Sequence, residues 1–152
     1  MGEGVGLDEN KGSDIYSLIC ESFGEPKTPL KAQSPLTLAF IGDGIYSLIA
    51  RSIVVNQGNT ANGKLHNKSL EYVSARAQSR VAGVWLEGDI LTQEERDILN
   101  RGMNAKPHSL PKSASHFDYH RATGVEALSG YLYQKGELER LIYLIKEGLK
   151  QS

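Results

Sequence analysis

The chain is short of cysteine, of net charge and of alternating hydrophobic pattern. Cys20 is the only cysteine in 152 residues. A disulfide within the chain and a cysteine-based zinc site are therefore excluded. The formal net charge is -1 at pH 7. Such a chain has no global attraction for a polyanion, so any nucleic-acid binding must rest on a local basic surface. No stretch alternates apolar and polar residues with the period of two that a half-buried strand requires, and no segment repeats. Apolar runs are read as interrupted too soon to cross a bilayer, and a signal-peptide pattern is missing. Met1-Gly2 is followed by Gly6 where a myristoylation motif needs Ser or Thr. Asn67-Lys68-Ser69 is a glycosylation sequon that a cytoplasmic chain would not use. What remains is the expectation of an all-helical, single-domain protein with no membrane partner, placed in the cytoplasm or, after removal of a transit segment, in an organelle stroma. Residues 1–12, Gly-rich and polar, read as a disordered segment ahead of a domain at 13–152.

What is present centres on residues 36–51, an apolar run with one acid, Asp43, between Gly42 and Gly44. Ser34 and Pro35 precede it as an N-cap and a first helical residue. Leu38, Ile41, Ile45, Leu48 and Ile49 recur at helical spacing. The run predicts a mostly buried helix to about Val55, closed by Asn56-Gln57-Gly58. The rival is a strand over residues 36–41 ending in a Gly-Asp-Gly turn that presents Asp43 at its tip. If the run is helical, each interior glycine costs about 1 kcal/mol relative to Ala, and the glycines imply a second helix lying very close at Asp43.

Around this centre the punctuation predicts further helices. Ser13 would cap a short one that stops near Gly24, and residues 25–33, with Pro26 and Pro29, read as a linker. A polar turn at 59–63 leads to a helical stretch at 65–86 with a possible break at Ser74. Leu65, Leu70, Val73, Ala77, Val81, Val84 and Trp85 are its inward candidates. Thr92-Gln93-Glu94-Glu95 has the form of a capping box for a helix to Arg101. Residues 102–117 form a long loop, of a length often tied to function. Another helix starts at about Asp118 and ends at Gly136. A last one, at 137–150, places Leu138, Leu141, Ile142, Ile145 and Leu149 on one face.

The penultimate helix repeats the oddity of residues 36–51: a single acid, Glu126, among small and apolar residues. Residues three and four apart share a helix face. Ala39 and Ser47 flank Asp43 on its helix; Thr123 and Gly130 flank Glu126. Two such slender faces would let the helix axes approach and bring the carboxylates together. Like charges brought close repel, so a cation between them is the natural solution. Oxygen-only ligands suit Mg²⁺ rather than zinc. Two separate acids, each at a solvent edge or paired with Arg, are the alternative. Between Arg101 and Arg121, Lys106 and Lys112 add charge, Asp118 is the only acid, and His108, His116 and His120 share the segment. A basic segment there suits a polyanion, although scattered charge on a solvated loop would look the same. His116 and His120, four apart, could face a zinc ion but lack a third ligand. Lys64, His66, Lys68, Arg76 and Arg80 form a second polar set, in which Arg76 could pair with an acid on a neighbouring helix.

Residues 39–45, Ala-Phe-Ile-Gly-Asp-Gly-Ile, resemble the signature of the ribonuclease III family, and residues 123–128, Thr-Gly-Val-Glu-Ala-Leu, resemble its second acidic motif. Residues 65–69, 73–75 and 101–106 resemble blocks of the miniature branch, Mini-III, in the same order along the chain. Ribonuclease III proper has a Glu at the position of Ala39 and an Asp at that of Thr123; Mini-III resembles this chain in having one acid per motif. The resemblance implies an all-α ribonuclease III-type domain without a double-stranded-RNA-binding domain. It further implies a homodimer that holds an RNA duplex and cuts each strand, with Mg²⁺ held by Asp43 and Glu126 as catalytic residues. Arg101, Asn104, Lys106 and Arg121 would contact phosphate, with His66 and Lys68 beside them. Ribosomal RNA precursors are the substrates the family suggests. The competing readings are a non-catalytic RNA-binding homologue, since two acids are missing, and a helical interaction module in which the small-residue faces only pack helices.

Overall fold

The computed structural model describes residues 14–106 and 115–150. They form seven α-helices and one 3-10 turn, and no strand occurs among the described residues. In chain order the helices are α1 (Ile15–Phe23), α2 (Pro35–Val55), α3 (Asn62–Val73), α4 (Ala75–Gly88), α5 (Gln93–Met103), α6 (His116–Gln134) and α7 (Leu138–Lys150); the 3-10 turn, Leu30–Ala32, precedes α2. The expected disordered segment 1–12 and the loop residues 107–114, including His108 and Lys112, lie outside the described residues.

Local chemistry sets the helix ends. Ser34 Oγ accepts from the Thr37 amide at 3.1 Å, and Pro35 opens α2 without wasting a donor. The run at 36–41 is therefore helix, and the strand alternative falls. Ser74 ends α3 by donating its amide to the Leu70 carbonyl and starts α4 by accepting from the Ala77 amide at 3.2 Å. Both bonds of the Thr92–Glu95 box are made. Three ends differ from expectation. Asp14 caps α1 through the Ser17 amide, while Ser13 lies outside the described residues. α3 begins at Asn62 after Ala61, which gives no side-chain bond, so the turn there is shorter than the polar run suggested. α6 begins at His116 because Ser115, not Asp118, is the cap; the Asp118 amide donates to Ser115 Oγ at 3.0 Å.

The hub is α6 rather than α2. It packs against α2, α4, α5 and α7, and from Ala122 to Tyr133 every residue but Glu126 is buried. Ala122, Gly124, Ala127, Ser129 and Gly130 keep it thin enough to be surrounded. Val125, Leu128 and Leu132 fill the core with Leu38, Val81, Trp85, Leu99, Leu141 and Leu144, each large side chain contributing about 1.5–3 kcal/mol by leaving water. Trp85 Nε1 donates to the Leu144 carbonyl at 2.7 Å, which fixes α4 on α7. Residues 25–33 are more than a linker, since Gln33 exchanges two side-chain hydrogen bonds, 2.9 and 2.7 Å, with Gln134 of α6.

α2 is buried along one stripe only. Leu38, Ala39, Gly42, Ile45, Tyr46, Ala50 and Val54 face the core, while Phe40 is 84% exposed and Leu36, Leu48 and Val55 are also open to solvent. The expectation of a mostly buried helix is corrected accordingly. By length and composition α2 is also apolar enough to cross a membrane, contrary to the reading that its run is interrupted too soon; here one of its faces is packed inside a helical domain.

Candidate active site

The site begins where α2 and α6 touch backbone to backbone. A Cβ on Gly42 would overlap the Glu126 carbonyl, and one on Gly130 would overlap the Leu38 carbonyl. Only residues without a side chain permit this contact. It was legible as a pair of small-residue faces, with Gly130 among them, but on α2 the contact is made by Gly42 rather than by Ala39 and Ser47. Gly44 takes no part, because nothing lies within 4 Å of a Cβ placed there.

Asp43 and Glu126 project beside this contact and meet. Asp43 is exposed and Glu126 is partly buried. Burial first, then the charge of Asp43 and a side-chain hydrogen bond with it, push the Glu126 carboxyl up to about 8; the Gln78 side chain opposes the shift by donating to it. The structure thus brings the two acids of the sequence analysis together. Among the described residues no cluster of three or more His, Cys, Asp or Glu stands ready for a metal, so the acidic pair is the candidate. It fits a hard divalent cation: its ligands are all oxygen, its negative charges repel, and a cation would relieve both burial and repulsion.

Two further residues belong to the site that sequence reasoning passed over. Gln78 reaches Glu126 from α4, and Tyr46 on α2 lies near enough for Glu126 to raise its hydroxyl pKa, a shift dominated by burial. The only signal for Tyr46 was its place three residues after Asp43. Gln78 gave none, because its partner lies on another helix.

The six residues read as RNA contacts fall into separate groups. Arg101 and Asn104 line one shallow cleft at the end of α5 with Pro35 and Asp97. Arg101 donates to the Gln33 carbonyl at 3.4 Å, and Lys106 is exposed just beyond. Arg121 is partly buried, its guanidinium 4.6 Å from the Phe117 ring centre. His66 and Lys68 are exposed on α3, where His66 borders a cleft with Arg51 and Asn62. None of the six bonds to Asp43 or Glu126 among the described residues. Arg76 is exposed and forms no ion pair among the described residues, so the partner suggested for it is not found. His116 is exposed, whereas the His120 Nδ1 is buried without a partner.

The ribonuclease III domain family matches residues 36–137, a span that contains both acids. Mini-ribonuclease 3 of Thermoanaerobacter sp. (strain X514) is 48% identical over 109 residues, covering 71% of this chain and 75% of that protein. This chain belongs to the Mini-ribonuclease 3 family. The Mini-ribonuclease 3 of Enterococcus faecalis (strain ATCC 700802 / V583) is 40% identical over 121 residues, 80% of this chain and 92% of that protein. A crystal structure of a Fusobacterium nucleatum protein superposes with a TM-score of 0.71 at 27% identity, covering 82% of this chain and 98% of that one. Membership in the Mini-ribonuclease 3 family gives the acidic pair its context: it lies inside the matched ribonuclease III domain, on the two helices that touch.

Proposed function

We propose that this chain is a Mg²⁺-dependent endoribonuclease that cuts double-stranded or structured RNA as a cytoplasmic homodimer, with precursors of ribosomal RNA as its substrate class. Family membership supports the general activity. The observation that carries the rest is the meeting of Asp43 and Glu126 across the Gly42–Gly130 contact. Asp43 and Glu126 would hold the ion, which when bound supplies charge stabilisation at the phosphate and a water activated for in-line attack, leaving a 5′-phosphate. The chain's own part is positional. The glycine contact sets the two backbones that carry the carboxylates side by side, and Glu126 reaches the site partly buried while Asp43 reaches it exposed. Arg101, Asn104, Lys106 and Arg121 would take phosphate oxygens, with His66 and Lys68 lengthening the track.

The homodimer rests on the open apolar surface. Phe40 stands one turn before Asp43 on α2, and Ile15, Leu48 and Ile142 are also exposed. Ile15, Leu48 and Ile142 line a groove between α2 and α7 together with Ile45, Ile49, Ile53 and Leu149, while Phe40 stands outside its lining. Exposed apolar surface of this extent is typical of an interface.

A long RNA duplex incubated with and without Mg²⁺ tests the activity. Asp43→Asn and Glu126→Gln are each expected to lose cleavage by at least about 100-fold while RNA binding persists or tightens, since a negative charge near phosphate is removed. Metal-dependent cutting by both variants would reject the assignment. Absence of cutting by the wild type, with duplex binding intact, would favour a non-catalytic homologue, for which Ala39 and Thr123 are the supporting residues.

A further inference from the structure

Two buried polar side chains face Glu126 with hydrogen-bonding capacity that the fold does not use. Gln78 is 1% exposed. Its Nε2 donates to the Val73 carbonyl at 3.3 Å, an acceptor left free where α3 stops at Ser74. The side chain lies close enough to Glu126 to hold its carboxyl down against the effect of burial, while its Oε1 is buried with no partner. Tyr46, also 1% exposed, points from the core stripe of α2, and its hydroxyl is buried with no partner. An unpaired buried polar group costs about 1–3 kcal/mol, and folded proteins hold few of them. Met in place of Gln78 and Phe in place of Tyr46 would fill the same space without that cost. Two such groups near one carboxylate could both be satisfied by water held there, whether alone or in the shell of an ion.

We propose that Gln78 is a positioning residue for Glu126: tethered at the α3–α4 break, it orients the carboxylate toward the cation, and its Oε1 with the Tyr46 hydroxyl receives water from the ion's hydration shell. The inference rests on the metal-dependent reading of the acidic pair. It accounts for a buried amide at the start of α4, where packing alone calls for an apolar residue. Partners of this kind commonly change metal affinity 10–100-fold although they never touch the ion.

The test uses the full chain without RNA and follows Mn²⁺ uptake by electron paramagnetic resonance, with cleavage measured over a range of Mg²⁺. Gln78→Met is expected to weaken Mn²⁺ binding by about 10-fold or more and to melt, without metal, at or above the wild-type temperature. Its cleavage should recover as Mg²⁺ is raised, whereas that of Glu126→Gln should not. Tyr46→Phe should give a smaller shift in the same direction. Wild-type Mn²⁺ affinity in Gln78→Met, or a rate loss that no Mg²⁺ concentration restores, would overturn the positioning role and leave the metal site standing. Should the wild type itself take up no Mn²⁺, the metal reading falls and this inference with it. If Gln78→Met does not fold, Gln78→Glu, which keeps shape and reach, replaces it. That variant should melt lower without metal and bind Mn²⁺ more tightly, and unchanged affinity would count against the proposal.

Discussion

Glu95 and Glu126 are both acids withdrawn from water, and their surroundings drive them in opposite directions. Burial pushes Glu95 up, but Arg140, bonded at 2.8 and 2.9 Å, and the Thr92 amide outweigh it and hold its carboxyl below the usual range. Its contribution to stability is present above the ordinary carboxylate pKa and is lost as pH falls through its own lowered value. Among the described residues no cation acts on Glu126, and burial with the Asp43 charge pushes it up to about 8. The native state then holds a proton that the unfolded chain releases near its ordinary value of 4.5. Metal-free protein should therefore lose stability as pH rises from about 4.5 to about 8. Glu126→Gln should abolish that slope and be more stable than wild type at pH 8 by on the order of 2 kcal/mol. Urea unfolding at several pH values in the presence of chelator measures it; parallel pH profiles for the two proteins would show that Glu126 is not held in its acid form.

At the scale of the helix, the informative features are caps and close contacts. Gly42→Ala puts a methyl group into the Glu126 carbonyl, and backbone cannot give way as a side chain can. It should cost about 3 kcal/mol or more, against a gain in helix propensity of about 1 kcal/mol. Gly44→Ala, which meets open space, should instead stabilise by up to about 1 kcal/mol. Thermal melts of the two variants should move in opposite directions; equal shifts would remove Gly42 from the contact. The same elements show what the sequence reveals. Ser34-Pro35, Ser74 and the Thr92–Glu95 box were legible because a cap is decided within four residues. The small faces around Asp43 and Glu126 were legible because helical spacing fixes which residues share a side. The start of α6 was misplaced because an acid in the first turn and the cap itself carry similar signals, and Ser115 lies among other serines. Gln78 stayed hidden because its meaning comes from Glu126, a residue no local pattern connects to it.

The whole molecule leaves two surfaces unexplained by its own core. The exposed apolar stripe of α2, with Phe40 at its most open point, could not be told from core by periodicity alone, since a partner chain and a core call for the same residues. Phe40→Asp should yield a monomer by light scattering at micromolar concentration while helix content is unchanged; a dimer persisting in that variant would place the interface elsewhere. The second surface is the end of α5, where Arg101 and Lys106 are exposed near Asp97 in a chain of net charge -1. Replacing Arg101 and Lys106 together by Ala should weaken duplex binding and reduce the slope of log affinity against log salt by about 1.8, two phosphate contacts' worth. An unchanged slope would move RNA contact away from the end of α5. At the level of the assembled domain, the meeting of Gly42 with the Glu126 carbonyl acts as a fixed spacer. No rotamer stands between the helix axes that could relax, so the spacing of the two backbones that carry Asp43 and Glu126 is inherited from peptide geometry, and only their side-chain torsions are left to adjust. Ions of different radius would then be met by side-chain rotation alone, with the helix spacing unchanged.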